Sequence, residues 1–369
     1  RVVVLSGAGV SQASGLPTRK ALWTLYNRDS AVSVARFQRE PRALWEAARG
    51  ERPRVHRWAQ RRLVGALAEQ QRAGSAAGGV PPASVLTEAL HAIDAAFDPV
   101  NGGWDGAPKF PQPMTIEALL RRHVASGDAR PLEIARRSLD AMAAGGVRDQ
   151  LGGGFHRYST DARWLVPHFE QMLYDNAQLA RVYAHAWALT HDPLYLETAT
   201  GALDYLIREL RTPEGGFAAS QDADTEGEEG ATFVWTVAEI REVLGGEAGA
   251  LFAAAYGATD AGNWEGHTIL SRIRDDRELG ERFGLVPGEV AARLRAARAR
   301  LLERRAARPQ PARDDKVLAA WNGLVIAAFA DAARALAGSG DPSLGEAAAR
   351  YREAAATAAD AILTSLLGS

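Results

Sequence analysis

Gly102-Gly103-Trp104, Gly153-Gly154-Phe155 and Gly215-Gly216-Phe217 repeat one short form, two glycines followed by an aromatic residue. The second lies 51 residues after the first and the third a further 62, and Gly262-Asn263-Trp264 falls about one period beyond. One such period holds a helical hairpin and a loop. A lone hairpin cannot bury both faces of its helices, so repeated hairpins must stack or close into a ring. The glycines permit tight turns with positive φ, and the aromatic anchors each loop. The plainer reading makes them helix stops followed by a core aromatic. That explains the glycines better than the polar residues clustered beside them.

The segments between the motifs have helical periodicity. Val85, Leu86, Ala89, Leu90, Ile93 and Phe97 recur at helical spacing, and residues 114–124, 132–144, 169–189, 193–210 and 317–336 keep the same period. Asp192-Pro193 places a capping side chain before a first-turn proline, and Thr236 to Glu239 has the spacing of a capping box. From Pro81 onward the chain therefore predicts a mostly α structure. Residues 1–50 differ, since Arg1-Val-Val-Val-Leu5 and Gly7-Ala-Gly9 predict a short α/β fragment of strand, turn and helix. Residues 51–80, Arg-rich and then Gly- and Ala-rich, predict a linker.

Composition narrows the function. Net charge is −2 across 369 residues with no long basic stripe, so we expect neither nucleic acid nor an anionic membrane as partner. With no cysteine in the chain, disulfides, thiol catalysis and Cys-ligated zinc are excluded. No apolar run is long enough to span a bilayer, and no signal peptide is recognisable, which makes the cytoplasm the expected location. The chain opens without Met and stops inside a helical pattern, which predicts a piece of a longer protein.

Five polar clusters sit at expected loop–helix junctions: 149–159, 164–176, 220–226, 263–267, and 314–316 with Trp321-Asn322. Aromatic faces beside carboxylates, amides, His and Arg suit a sugar, whose C–H faces stack and whose hydroxyls take forked hydrogen bonds. We expect acid–base groups among Asp149, His156, His168, Glu170, Asp222 and Asp224, and ligand contacts from Trp104, Arg157, Trp164, Asp315, Trp321 and Asn322. Plainer readings stand beside these. His156 and His168 can each satisfy a buried carbonyl, and Trp321 can be core. Asp315-Lys316 can be a helix cap and an exposed pair. Asp222-Ala-Asp224-Thr-Glu226 lacks full calcium-loop spacing and can be a solvated acidic turn that Glu228 and Glu229 extend. No metal or cofactor is expected. The sequence predicts that Asp149, Arg157, Trp164, His168, Asp222 and Asp224 converge.

Residues from about 81 to the end resemble the family of spermatogenesis-associated protein 20 and bacterial thioredoxin-domain-containing proteins. The matching stretches are 97–111, 151–159, 164–170 with 172–175, 220–224, and 314–316 with 321–323. The resemblance implies a six-hairpin α/α toroid similar to N-acylglucosamine 2-epimerases and six-hairpin glycosidases. It carries no established reaction. Against that pattern the toroid here is incomplete, its last part missing, and an unclosed toroid would favour protein association. The thioredoxin-like head and its Cys-x-x-Cys are absent from the chain. Residues 4–17 resemble the NAD-binding loop of sirtuin deacylases, which implies that Gly7, Ala8, Gly9 and Ser11 would lie against NAD. The remaining sheet, catalytic His region and zinc cysteines of that family are missing, so we expect a remnant that does not bind NAD. The leading expectation is a carbohydrate-active or carbohydrate-binding toroid. The alternative is a non-catalytic interaction module, and a remnant deacylase comes third.

Overall fold

The computed structural model describes residues 83–367, with side chains from 87 to 365. The sirtuin-like segment 1–50 with Gly7, Ala8, Gly9 and Ser11, and the linker 51–80, lie outside the described residues. Helix α1 (Ala83–Ala95) is followed by two helical hairpins. These are α2 (Pro113–Ser126) with α3 (Ala129–Ala144), and α4 (Leu173–Thr190) with α5 (Pro193–Tyr205). A third hairpin, α10 (Ala319–Gly338) with α11 (Gly345–Leu367), packs beside α4. So α2, α4 and α10 form an inner layer with α4 in the middle, each backed by its own hairpin partner. This two-layer arc is the arrangement of an α/α toroid. Burial explains the position of α4. Ala177, Ala180, Ala184 and Ala186 leave room for neighbours, while Leu173, Leu179, Tyr183 and Trp187 fill the spaces between them. A helix apolar on nearly all sides must be enclosed.

Expected and observed helices coincide closely. Asp192 caps α5 by accepting the Leu194 amide at 3.1 Å, and the Thr236–Glu239 capping box forms as read. The helix expected from 169 begins instead at Leu173. The residues before it pair as strands: β2 (Pro167–His168) with β1 (Tyr158–Ser159), and β3 (Gln171–Met172) with β4 (Ser220–Gln221). Strand β7 (Arg313–Asp314) completes a three-stranded sheet on β4, and β5 (Asp224–Thr225) pairs with β6 (Glu228–Glu229).

The simple hairpin period is interrupted after α5. Helices α6 (Val237–Leu244), α7 (Gly246–Tyr256), α8 (Asp276–Phe283) and α9 (Pro287–Ala306) pack on one another. They enclose a separate core around Trp235, Ile240, Phe252, Tyr256, Leu279, Leu294 and Leu301. Trp264, read as continuing the period, belongs to the loop between α7 and α8 and packs on Phe169 at 5.5 Å. No helix among the described residues is long and apolar enough to cross a membrane.

Candidate functional site

The site starts from the Gly-Gly-Phe loops. Gly153 has φ +86°, and a Cβ there would meet the Gly201 carbonyl at 2.5 Å, so only glycine lets this loop press against α5. The loop is then clamped to the inner helix. Asn176, fully buried in the first turn of α4, accepts the Phe155 amide at 2.6 Å. Its Nδ2 donates to the Phe155 and Met172 carbonyls at 2.9 and 3.0 Å. Asn322 repeats the arrangement at the same position of α10. It accepts the Phe217 amide at 2.8 Å and donates to the Phe217 and Leu318 carbonyls at 3.0 and 3.1 Å. Flanking bonds repeat too: Asp149 N–H to Gly154 C=O and Thr212 N–H to Gly216 C=O are both 2.8 Å. Two of the Gly-Gly-aromatic motifs are thus bound to the N-terminal ends of adjacent inner helices.

Beside this frame lies a polar cluster. The β1–β2 pair sets Tyr158 opposite His168, with the rings stacked at 5.1 Å. Arg157 donates its amide to the Glu170 carbonyl and its Nη1 to Glu170 Oε2, both at 2.8 Å. His168 Nε2 lies 3.7 Å from that same oxygen. His168 Nδ1 meets Glu229 Oε1 at 2.7 Å, because the β5–β6 hairpin folds Glu229 back over the site. The first turn of α4 adds Tyr174, edge-on to Trp321 of α10 at 4.9 Å, and Asp175. Asp175 is buried, and that burial pushes its carboxyl up to about 7 against the opposing pull of the Arg157 charge.

The cluster holds unmet hydrogen-bonding capacity. Among the described residues, eight buried side-chain nitrogen and oxygen atoms have no partner, and four belong to this one segment. They are Asp175 Oδ2, Arg157 Nε, and both Nε2 and Oε1 of Gln171, a residue only 1% exposed. Buried polar atoms are normally paired, so among the described residues unmet hydrogen-bonding capacity is concentrated in this segment.

The sequence-derived candidates divide. Arg157, His168, Glu170 and Trp321 come together here. Asp149 lies deeper, in a buried bidentate pair with Arg305 of α9 at 2.8 and 2.6 Å, which holds its carboxyl below the usual range. His156 is wedged between Phe169 and Phe233. Its Nδ1 donates to the Phe169 carbonyl at 2.8 Å, and burial lowers its pKa to about 4, leaving it neutral near pH 7. Trp164 and Trp104 are buried anchors whose indole N–H groups bond the Asn101 and Ile93 carbonyls. Asn322 is a clamp. Asp222 and Asp224 are exposed, and Asp315 is exposed and paired with Arg313 at 2.6 Å. The expected single convergence therefore splits into an inner structural layer, the polar cluster and an outer acidic turn. Gln171, Tyr174 and Asp175 fall within the 164–176 cluster and Glu229 extends the acidic turn, but none of the four is among the candidates expected from the sequence. Asp175 had one available signal, a carboxylate in the first turn of a strongly apolar helix. No group of three or more His, Asp or Glu among the described residues could hold a metal ion.

No family model matches the chain. Spermatogenesis-associated protein 20 of Rattus norvegicus is 38% identical over 289 residues, 70% of this chain. The chain spans 36% of the length of that relative. A second, short match is 45% identical over 47 residues, 12% of this chain and 19% of the relative, to NAD-dependent protein deacylase 2 of Archaeoglobus fulgidus. Among solved structures, a sugar epimerase from a ruminal bacterium is 14% identical with a TM-score of 0.33, over 76% of this chain and 70% of that one. At that level of likeness the fold stands on its own contacts.

Proposed function

We propose that this chain, homologous to spermatogenesis-associated protein 20 over 70% of its length, binds a neutral, sugar-like ligand at the N-terminal ends of α4 and α10. In this reading Asp175 and Glu170 serve as its acid–base pair. The observation that carries it is the group of unpartnered buried atoms on Arg157, Gln171 and Asp175. Vicinal hydroxyls both donate and accept, which is what an unengaged amide beside an unengaged carboxyl oxygen and a guanidinium N–H require. Tyr174, Trp321 and Tyr158 offer aromatic surface for the apolar face of a sugar ring. Two carboxylates, Glu170 and Glu229, already engage Arg157 and His168, which disfavours an anionic sugar. Asp175, held near 7 by burial, is poised both to give and to take a proton at neutral pH, the condition for general acid–base chemistry on a hydroxyl or beside a carbonyl.

The test is calorimetric titration of the full chain with neutral mono- and disaccharides, followed by proton NMR in deuterated water for exchange at carbon or loss of the glycosidic bond. Gln171→Leu should weaken binding by about tenfold or more, as expected when a ligand hydroxyl meets no partner. Asp175→Asn should keep binding and lose turnover. Binding without turnover in the parent chain would assign the site to a non-catalytic module. Absence of binding by every neutral sugar, or unchanged binding in Gln171→Leu, would end the proposal.

A further inference from the structure

A groove of about 470 Å³ lies apart from the polar cluster and shares no residue with it. Its walls come from the C-terminal half of α3 with the Gly145 turn, from Val100-Asn101, from Arg163 and Leu165, and from the strap Ser271-Arg272-Ile273. Three guanidinium groups, Arg137, Arg163 and Arg272, face one carboxylate, Asp140. Asp140 already accepts the Tyr195 hydroxyl at 2.7 Å, and burial raises its pKa. Arg272 is engaged by Asp276. Arg137 gives one N–H to the Val100 carbonyl and keeps the others. The Arg163 side chain has no partner among the described residues.

Two further observations show a built site. Ser271 is 8% exposed, and its hydroxyl, which remains open to solvent, has no hydrogen-bond partner among the described residues. Val100 and Ile273, among the most exposed large apolar side chains described, both line the groove. The loop presenting Arg163 is also fixed in advance. Asp161 accepts the amides of Arg163, Leu165 and Val166 at 2.6, 3.3 and 2.7 Å. Trp164 is held at φ +65°, a costly conformation for a bulky residue. Its indole N–H to Asn101 C=O ties this loop to the Val100 wall.

We infer that this groove is a second ligand site, taking a phosphate monoester with an apolar body: Arg137, Arg163 and the Ser271 hydroxyl take the phosphoryl oxygens, and Val100 and Ile273 flank the body. Two available guanidinium edges and a hydroxyl match the several oxygens of a phosphate better than the two of a carboxylate. The volume falls within the range of small-molecule sites.

The test is calorimetric titration of the full chain with adenosine monophosphate, with inorganic phosphate and with adenosine. The nucleotide should bind more tightly than either half. Arg137→Ala and Arg163→Ala should each weaken it by about tenfold or more, the loss expected for charged hydrogen bonds. Both side chains are exposed, so melting temperatures should stay near that of the parent. Asp175→Asn should bind the nucleotide as the parent does. Three results overturn the inference: no binding of the nucleotide, binding unchanged in both arginine variants, or loss of binding in Asp175→Asn.

Discussion

Replacing Asn176 by Ala removes one acceptor and one donor that serve both backbone groups of Phe155, in a fully buried place. It also removes the bond to the Met172 carbonyl at the start of α4. An orphaned buried backbone group costs about 1–3 kcal/mol, so the Phe155 N–H and C=O together predict a loss of about 2–6 kcal/mol, with about 3 kcal/mol expected where the loop partly relaxes. For a domain of this size that corresponds to a fall of about 6–12 °C in melting temperature. Asn322→Ala breaks the same set of bonds around Phe217 and should cost about as much. Asn176→Asp keeps the size and the acceptor but turns the donor into a second oxygen facing two carbonyls, so it should be no milder than alanine. Thermal and urea unfolding followed by circular dichroism measures all three. A loss below about 0.5 kcal/mol, the range of ordinary surface changes, would refute the clamp. A large loss for Asn176→Ala beside a negligible one for Asn322→Ala would refute the equivalence of the two loops.

Two buried groups should leave opposite signatures in stability against pH. Asp175 has its folded pKa raised from 3.8 to about 7, so its contribution is full below about 4 and is lost as pH rises through 7. His156 has its folded pKa lowered from 6.5 to about 4, so its contribution is full above about 6.5 and is lost as pH falls through 4. Between these limits the slopes oppose, each up to about 1.4 kcal/mol per pH unit. Asp175→Asn should therefore tilt the urea-unfolding profile so that stability rises with pH across this window, and an unchanged profile would count against the buried, protonated carboxyl. Separately, Arg305→Leu strands the Asp149 carboxylate in the interior and should cost about 3–5 kcal/mol, part of it recovered when Asp149→Asn is added. A urea midpoint that does not move would show that the pair does not hold α9 to the Gly-Gly-Phe loop.

The helices were legible because helical burial repeats every few residues, and their caps were legible because a cap and its target lie within one turn. The end of α3 at Ala144, the start of α5 at Pro193 and the Thr236 capping box follow from this. What could not be read was pairing at a distance. Arg305 meets Asp149 across 156 positions, and Asn322 meets Phe217 across 105. Read locally, Asn322 offers a ligand contact and Asp149 an acid, whereas in the fold each is engaged by its distant partner. Glu229 looked like one more charge in an acidic turn until the Glu226-Gly227 bend, with φ of +55° and +88°, returned it to His168.

One signal was present and not combined. A Gly-Gly-Phe loop is answered by Asn as the fourth residue of an inner helix in both α4 and α10, although residues 218–318 separate loop from helix in the second copy. Aligning the helices on those asparagines makes Asp175 and Trp321 equivalent third residues. A scaffold repeated only for packing has no reason to place a buried acid at one such position and an aromatic at the other. Here the aromatic meets the neighbouring Tyr174 edge-on and the acid carries an unpartnered oxygen. That divergence within a repeated clamp geometry is the feature on which the proposed ligand site at the two inner-helix ends rests.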